Sequence, residues 1–311
     1  MNWVDLTICF SGYIFAILSL CFLFILKKYK KLPHIRETFH GKSLSVIVTA
    51  RNEERNLSNS LQSIKNQSYE NMNIIIVNDR SDDKTGNIIE EHLSMSNSLE
   101  YVRIKDLPEG WVGKSHAMHV GSKKSYSDYL LFTDGDIIYH KDTVQSAMKY
   151  AHSNNIDHLV LLPLAITKSW LEAVANQAIF FILSLKFNPQ KVASKAHKNH
   201  YAGAGAFNLV NRNIYNKSGG HQALKYEIID DVFLGKIIKD NGGRQEVLDA
   251  NRLLKTRWQS GILGLISGLE KNAFSALGYS VPLFICAELT IIILFFLPIM
   301  YAFIFDIKVY A

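Results

Sequence analysis

The chain has 311 residues, 48% of them hydrophobic, and 34 Lys and Arg against 28 Asp and Glu give a formal charge of +6. That is enough apolar sequence for one sizeable domain with some to spare, and too modest a positive balance for a nucleic-acid reader, which carries a basic stripe with motif support. Cys9, Cys21 and Cys286 all lie in apolar runs, so neither a disulfide framework nor a cysteine metal site is expected.

Leu6 to Leu26 carries no charge. At ~1.5 Å per helical residue it matches a bilayer core of roughly 30 Å, which predicts a membrane-spanning helix. Asp5 precedes the run without a Lys or Arg, and no small-residue cleavage site follows, unlike a signal peptide. Lys27, Lys28, Lys30 and Lys31 come next and, by the positive-inside rule, put the following domain on the cytoplasmic face of the cell (inner) membrane. The remaining positive charge is expected to meet anionic headgroups. The expected layout is an anchor with a basic collar over 1–32, a cytoplasmic domain over 33–258, an interfacial helix over 259–280 and a second span over 281–311. Within that second span, Val281 to Phe305 is interrupted by Pro282, Pro298 and Glu288.

Leu44 to Thr49 is a β-branched run of the kind that forms a buried parallel strand. It ends in Ala50, Arg51, Asn52, Glu53, Glu54, and a helical pattern follows through Leu57, Leu61 and Ile64. Asn73 to Val77 repeats the device, ending in Asn78, Asp79, Arg80, Ser81, Asp82, Asp83 before a helix through Ile88, Ile89 and Leu93. Tyr101 to Ile104 is a weaker third strand, followed by a loop from Leu107 to Gly113 and a helix from Lys114. Tyr129 to Phe132 is the fourth and stops at Thr133-Asp134-Gly135-Asp136; His158 to Leu162 is the fifth. Such alternation predicts an α/β fold with a mainly parallel central sheet covered on both faces, whose ligands bind beyond the carboxyl ends of the strands. Asp79, Asp134 and Asp136 all fall at such ends. Two carboxylates flanking Gly135, which has no side chain to block an approach, suit a hard divalent cation that also takes phosphate oxygens. An isolated Asp-Gly-Asp is more often an ordinary turn; its convergence with Asp79 on one sheet edge points to a site.

The order T-A-R-N-E-E (Thr49 to Glu54), V-N-D-R-S-D-D-K-T (Val77 to Thr85) and T-D-G-D resembles the family 2 glycosyltransferases, from about Leu44 to Trp258. The stretch LPEGWVGKSHAMHVG, Leu107 to Gly121, is similar to membrane-bound members that glycosylate lipids such as hopanoids, carotenoids or ceramide. The resemblance implies a GT-A fold flanked by N- and C-terminal transmembrane helices. It also implies a UDP-sugar donor, Mg²⁺ or Mn²⁺ as cofactor, and a lipid acceptor at the bilayer. Asp79 would hold uracil, with Ala50, Arg51 and Glu53 lining base and ribose; a carboxylate there accepts the imide N–H that uracil offers. Asp136 would bind the metal directly, with Asp134 at the ribose or the metal's waters, and Lys114 would meet phosphate or sugar.

Asp230-Asp231 with Leu234 matches the family's acidic pair, normally Glu-Asp, whose second member is the general base; Asp231 would take the acceptor's proton in a direct, inverting displacement. On residue type alone it serves a helix N-terminus equally well. Arg257-Trp258 resembles the end of a Gln-x-x-Arg-Trp motif in which Leu254 replaces the glutamine, which argues against a processive polymer synthase. Arg257 and Trp258 would still bind diphosphate and stack on the acceptor.

Gly113-Lys114-Ser115 is no nucleotide triphosphate loop, because Pro108 stands where that loop needs glycine. His116 and His119 read as helix-surface residues without a third zinc ligand. The faces Leu171–Val174–Ala178–Ile182–Leu185 and Ile262–Leu265–Ile266–Leu269–Ala273–Leu277 suit helices lying on a membrane or packed on the sheet. An inactive scaffold that keeps the fold is a further alternative, disfavoured by retention of Asp79, Asp134, Asp136 and Asp231 together.

Overall fold

The computed structural model describes residues 3–95, 99–186, 188–257, 261–276 and 279–292. Helix α1 (Trp3–Leu26) leads to a short strand β1 (Lys30–Lys31), and strand and helix then alternate: β2 (Leu44–Ala50), α2 (Leu57–Lys65), β3 (Met72–Asp79), α3 (Thr85–Ser94), β4 (Leu99–Ile104), α4 (Gly113–Lys124), β5 (Tyr129–Asp134). A small strand β6 (Ile138–Tyr139) precedes α5 (Thr143–Ser153), β7 (His158–Leu162), β8 (Leu164–Ala165), α6 (Trp170–Lys186) and α7 (Pro189–Ala193). Then come β9 (Asn208–Asn211), α8 (Arg212–Lys217), a 3-10 turn (Gly220–Leu224), α9 (Asp230–Asp240), β10 (Gln245–Asp249), β11 (Leu254–Thr256), α10 (Gly261–Ala276) and α11 (Val281–Ile291).

Eight strands form the main sheet in the order β1-β10-β7-β9-β5-β2-β3-β4, and β6-β11-β8 form a second, smaller one. Alternate side chains of the central strands enter opposite layers, as the strand period of two requires. Val46, Val48, Ile74, Ile76 and Leu131 pack with Leu57, Leu61 and Ile89 on one side; Ile47, Ile75, Val77, Leu130 and Phe132 pack with Met118, Leu234 and Ile238 on the other. Both faces are covered, which is why the strands read as continuous apolar runs.

The structure adds to the expected five strands. β9 runs antiparallel between β5 and β7, and β10 continues the parallel set beyond β7. Neither reads as an apolar run because both carry polar residues inward. Gln245 Nε2 bonds His158 Nδ1 (2.6 Å), Ala202 O (3.2 Å) and Gly235 O (3.3 Å), and Gln245 Oε1 accepts from Ala202 N–H (2.9 Å). His158 Nε2 in turn meets Asn208 Oδ1 (3.1 Å). Burial pushes the His158 imidazole down to about 4, so it is neutral and can accept at one nitrogen while donating from the other. The sheet also begins inside the basic collar: Lys30 and Lys31 pair with Leu248 and Asp249, and Lys30 Nζ meets Glu246 Oε1 at 2.7 Å.

Among the described residues no helix is long and apolar enough to cross a membrane. The 24-residue α1 coincides with the first expected span, but many of its side chains lie outside the described set, as do residues 293–311 of the second. The flanking transmembrane helices expected from the sequence therefore gain no support from the structure.

Replacing Gln245 with methionine keeps the volume but leaves the Ala202 N–H and the His158 ring nitrogen buried without partners. At about 1–3 kcal/mol per orphaned group, denaturant unfolding should show a loss on the order of 2–6 kcal/mol.

Candidate active site

The loops that leave β2 and β3 hold each other. Asn52 N–H donates to Ser81 Oγ (3.1 Å), Glu53 N–H to Thr85 Oγ1 (2.8 Å) and Glu54 N–H to Asp83 Oδ2 (3.1 Å). In return, Asp82 N–H donates to Asn52 Oδ1 (3.1 Å) and Lys84 N–H to Glu54 Oε2 (3.2 Å). Much of the sequence signal in these loops is thus spent on fixing their shape. Arg80 takes a left-handed backbone (φ 54) and folds onto its neighbour, Nε donating to Asp79 Oδ1 (2.8 Å) and Nη2 to Asp79 Oδ2 (3.2 Å). Asp79 is only 4% exposed, so the acid expected to receive a base ring is already gripped on both oxygens. Ala50 is buried at the end of β2, Arg51 is exposed, and Glu53 is half-buried. Burial raises the Glu53 carboxyl against an opposing bond from Asn56, and Asp134 and Asp83 raise it further.

Close approach at two glycines joins this corner to the next. A side chain on Gly113 would run into Arg80 and come within 2.7 Å of Asp79 Oδ2; one on Gly205 would run into Asp134 and come within 2.9 Å of Lys114 Nζ. Lys114, at the start of α4, pairs with Asp134 Oδ1 at 2.7 Å. Burial works to lower its pKa, but Asp134, Asp230 and Asp231 outweigh this and hold the ammonium charged. Asp136 is raised to about 7, chiefly by burial and then by Asp134 and Glu53, while a 3.3 Å bond from Thr256 Oγ1 opposes the rise.

Asp230 and Asp231 open α9. Asp230 is buried, which raises its carboxyl in spite of Lys114, and its Oδ2 lies 3.7 Å from His221 Nε2. Burial pushes His221 down to about 3, so it stands neutral, with Nδ1 meeting Tyr215 OH at 3.0 Å. Asp231 Oδ1 accepts from Val232 N–H (2.8 Å), and Gly203 lies against the Asp231 carbonyl, where no Cβ would fit.

The expected residues therefore converge: Asp79, Lys114, Asp134, Asp136 and Asp231 line one rim beyond β2, β3 and β5, with Glu53 beside them. Arg257 follows β11, its Nη2 reaching Glu172 Oε1 (3.3 Å) and its Nε buried without a hydrogen-bond partner. Trp258 lies outside the described residues. One expectation changes: the missing Cβ of Gly135 faces Leu57 Cδ1 and Thr49 O, each at 3.3 Å, so this glycine lets the turn pack on the core rather than clearing a path for a ligand. His116 meets Trp111 edge-on and His119 lies tilted against it, with ring centroids at 5.2 and 5.0 Å. Sequence reading gave no role to Thr256, which reaches Asp136 from 120 positions away, to Glu172, which meets Arg257 from 85 positions away, or to His221.

A parallel α/β sheet with acids and a lysine gathered at its carboxyl rim, and one antiparallel strand inserted beside the acid-bearing strand, is the GT-A architecture of nucleotide-sugar transferases. The chain superposes on a mannosyltransferase from Pyrobaculum calidifontis in complex with GDP-Man and Mn²⁺, with a TM-score of 0.61, 15% identity and coverage of 87% of this chain and 72% of that one. Against Staphylococcus aureus TarS 1–349 in complex with UDP-GlcNAc the values are 0.51, 17%, 72% and 61%. The glycosyl transferase family 2 model matches residues 45–233, and the chain belongs to that family. A 4,4'-diaponeurosporenoate glycosyltransferase of Staphylococcus aureus is 28% identical over 249 residues, which are 78% of this chain. The chain spans 64% of that relative's length.

The raised Asp136 carboxyl has a consequence for the metal-free protein. A folded-state pKa above the unfolded one contributes stability that is full below about pH 4 and is lost as pH rises through about 7. Unfolding midpoints followed from about pH 5 to about pH 8 should fall in the wild type and fall less steeply in Asp136→Asn. An unchanged slope would mean the carboxylate is better solvated than its surroundings imply.

Proposed function

We propose that this glycosyltransferase moves a sugar from a UDP-sugar to the hydroxyl of a membrane lipid, with inversion and with help from Mg²⁺ or Mn²⁺. The observation that carries the reading is the crowding of Asp134, Asp230 and Asp231 around Lys114, with Asp136 and Glu53 gathered about the same Asp134. A diphosphate entering this rim meets more negative than positive charge, and a divalent cation between it and the acids removes the conflict. The donor set is all oxygen, which fits a hard cation, and a cation there would offset the cost of ionising Asp136, whose carboxyl is raised chiefly by burial and then by Asp134 and Glu53. Asp136 and Asp134 would hold that ion, which would neutralise charge on the departing diphosphate.

The chain's own groups supply the rest. Asp79, kept in place by Arg80, has lone pairs left to accept from the imide N–H of uracil, with Ala50, Arg51 and Glu53 around base and ribose. Lys114 and Arg257 would meet phosphate oxygens, and Trp258 the acceptor. Asp231 takes the proton of the acceptor hydroxyl as that oxygen bonds the anomeric carbon and the bond to the diphosphate breaks. The nucleoside diphosphate leaves with the electron pair.

Two things support a lipid acceptor and an integral-membrane setting with the catalytic domain cytoplasmic. The named relative is a carotenoid-type glycosyltransferase, and the helices flanking the sheet expose large apolar side chains. Phe10, Tyr13, Ile17, Leu20 and Phe24 of α1, Trp170 and Val174 of α6, and Val281, Leu283, Ile285 and Leu289 of α11 are all exposed. Apolar surface on that scale calls for a membrane or a partner, and the charge-free run from Leu6 to Leu26 with its lysine collar favours the membrane.

Asp231→Asn should cut lipid glycosylation by on the order of 10²- to 10⁴-fold, read by mass spectrometry with membranes as acceptor, while UDP-sugar affinity stays nearly intact. Lost affinity would put this acid in the donor pocket instead. Asp136→Asn should abolish the dependence of UDP binding on Mn²⁺ in calorimetry. Retained metal-linked binding would refute the assignment, and no metal-linked binding in the wild type would favour an inactive scaffold.

A further inference from the structure

Away from the rim, the segment between β1 and β2 crosses the outside of α5 and is tied down there. Ile35 N–H donates to Ser146 Oγ (3.0 Å), Gln145 Nε2 donates to Ile35 O (3.3 Å), and Lys149 Nζ pairs with Glu37 (3.2 Å). This brings His34 to the start of α5, where His140 and Asp142 already stand. His34 Nε2 lies 2.9 Å from Asp142 Oδ2, and His140 Nδ1 lies 3.7 Å from the same oxygen. The two imidazoles meet edge-on with centroids 5.0 Å apart, and one ligand atom from each of the three residues falls within 4.8 Å of the others.

Asp142 behaves unusually for its position. It is the N-cap of α5, where an aspartate ordinarily accepts from the helix's own first N–H groups, yet its side chain makes no such bond. One oxygen faces the imidazoles and the other accepts from Ser68 Oγ (3.2 Å), and the residue is 3% exposed. The backbones that carry the ligands are fixed as well. His140 N–H donates to Leu253 O (2.8 Å), and His140 O accepts from Thr143 Oγ1 (2.7 Å) and Gln67 Nε2 (2.9 Å). The His140 Nδ1 lone pair is met by a long 3.3 Å contact from Asp142 N–H, which a metal would displace.

We propose that His34, His140 and Asp142 form a second metal site, distinct from the rim, for a first-row divalent transition metal of the Zn²⁺ type. Two imidazole nitrogens and one carboxylate oxygen select such an ion over Mg²⁺ or Ca²⁺. Bonds of ~2.0–2.1 Å would set the ligand atoms about 3.3 Å apart, reached by side-chain shifts of about an ångström or less from the present spacing. Both histidines are exposed, so water takes the fourth position. Ser68 supplies the outer bond that orients the carboxylate. The ion would staple the segment after the N-terminal helix to the turn between β6 and α5 and would take no part in sugar transfer.

The test is Zn²⁺ alone, added to the full chain and to Asp136→Asn, which lacks the rim acid, to His140→Gln, and to the double variant His34→Gln/His140→Gln. Zn²⁺ should raise the melting temperature of the wild type and of Asp136→Asn alike. Its affinity by calorimetry should fall about tenfold or more in His140→Gln and be lost in the double variant. Co²⁺ in the wild type should give the intense visible absorption of a four-coordinate nitrogen and oxygen site. Equal Zn²⁺ affinity in wild type and His140→Gln, a response that disappears in Asp136→Asn, or a weak octahedral Co²⁺ spectrum would each overturn the proposal. Because His140 is a single exposed side chain, that comparison stands even if the double variant does not fold.

Discussion

The ion pair between Lys114 and Asp134 is the contact on which the rim depends. Carboxylates withdrawn from water beside one another are costly, and each added acid raises the cost of ionising the next. Here the crowd is tolerated in two ways. An ammonium sits against Asp134, and two members, Asp136 and Asp230, are pushed toward their neutral forms. The geometry that allows it comes from small residues. Gly113 lets the start of α4 touch the Asp79–Arg80 pair, and Gly205 lets the chain before β9 touch Asp134 and Lys114 together. The same arrangement that makes the rim expensive to fold is the one that the proposed cation and diphosphate would relieve.

The sequence made the central strands legible because both faces of β2, β3 and β5 are covered, which forces an unbroken apolar composition on them. It made the acids at their ends legible because several strands of one sheet stop at carboxylates, and their convergence on one edge, not any single acidic turn, marks a site. β9 and β10 were hidden because Asn208, Gln245 and Glu246 point into the interior, and a reading based on hydrophobicity gives no credit to polar groups that satisfy one another. Thr256, Glu172 and His221 were hidden for another reason: their roles exist only after distant segments meet. Gly135 shows the opposite error. Its place in the motif suggested open space, and its place in the fold is against Leu57 and a backbone carbonyl.

The apolar helices are not loosely appended to the sheet. Phe180 of α6 packs against Phe22 and Tyr29, with ring centroids at 6.2 Å in each case. Glu172, in the first turn of α6, accepts from Lys168 N–H (2.7 Å), Gly261 N–H (3.0 Å) and Arg257. A single carboxylate thus ties the first turn of α6, the first residue of α10 and the end of β11. Since β11 also supplies Thr256 to Asp136, the helical flank and the acidic rim are fastened through a few residues of one short strand.

The polar thread from Gln245 through His158 to Asn208 works as a key for strand alignment. A purely apolar interior tolerates a sliding strand with modest loss, but a slide of β9 or β10 by even one position would strand an enclosed imidazole, an amide and several main-chain groups without partners. The antiparallel insertion can consequently seat in one way only. The same thread grips Ala202 and Ala204, on either side of Gly203 and just ahead of Gly205. Alignment deep in the sheet is thereby converted into the placement of the peptide that separates Asp134 from Asp231, so a folding error far from the rim would be felt there as a misplaced acid.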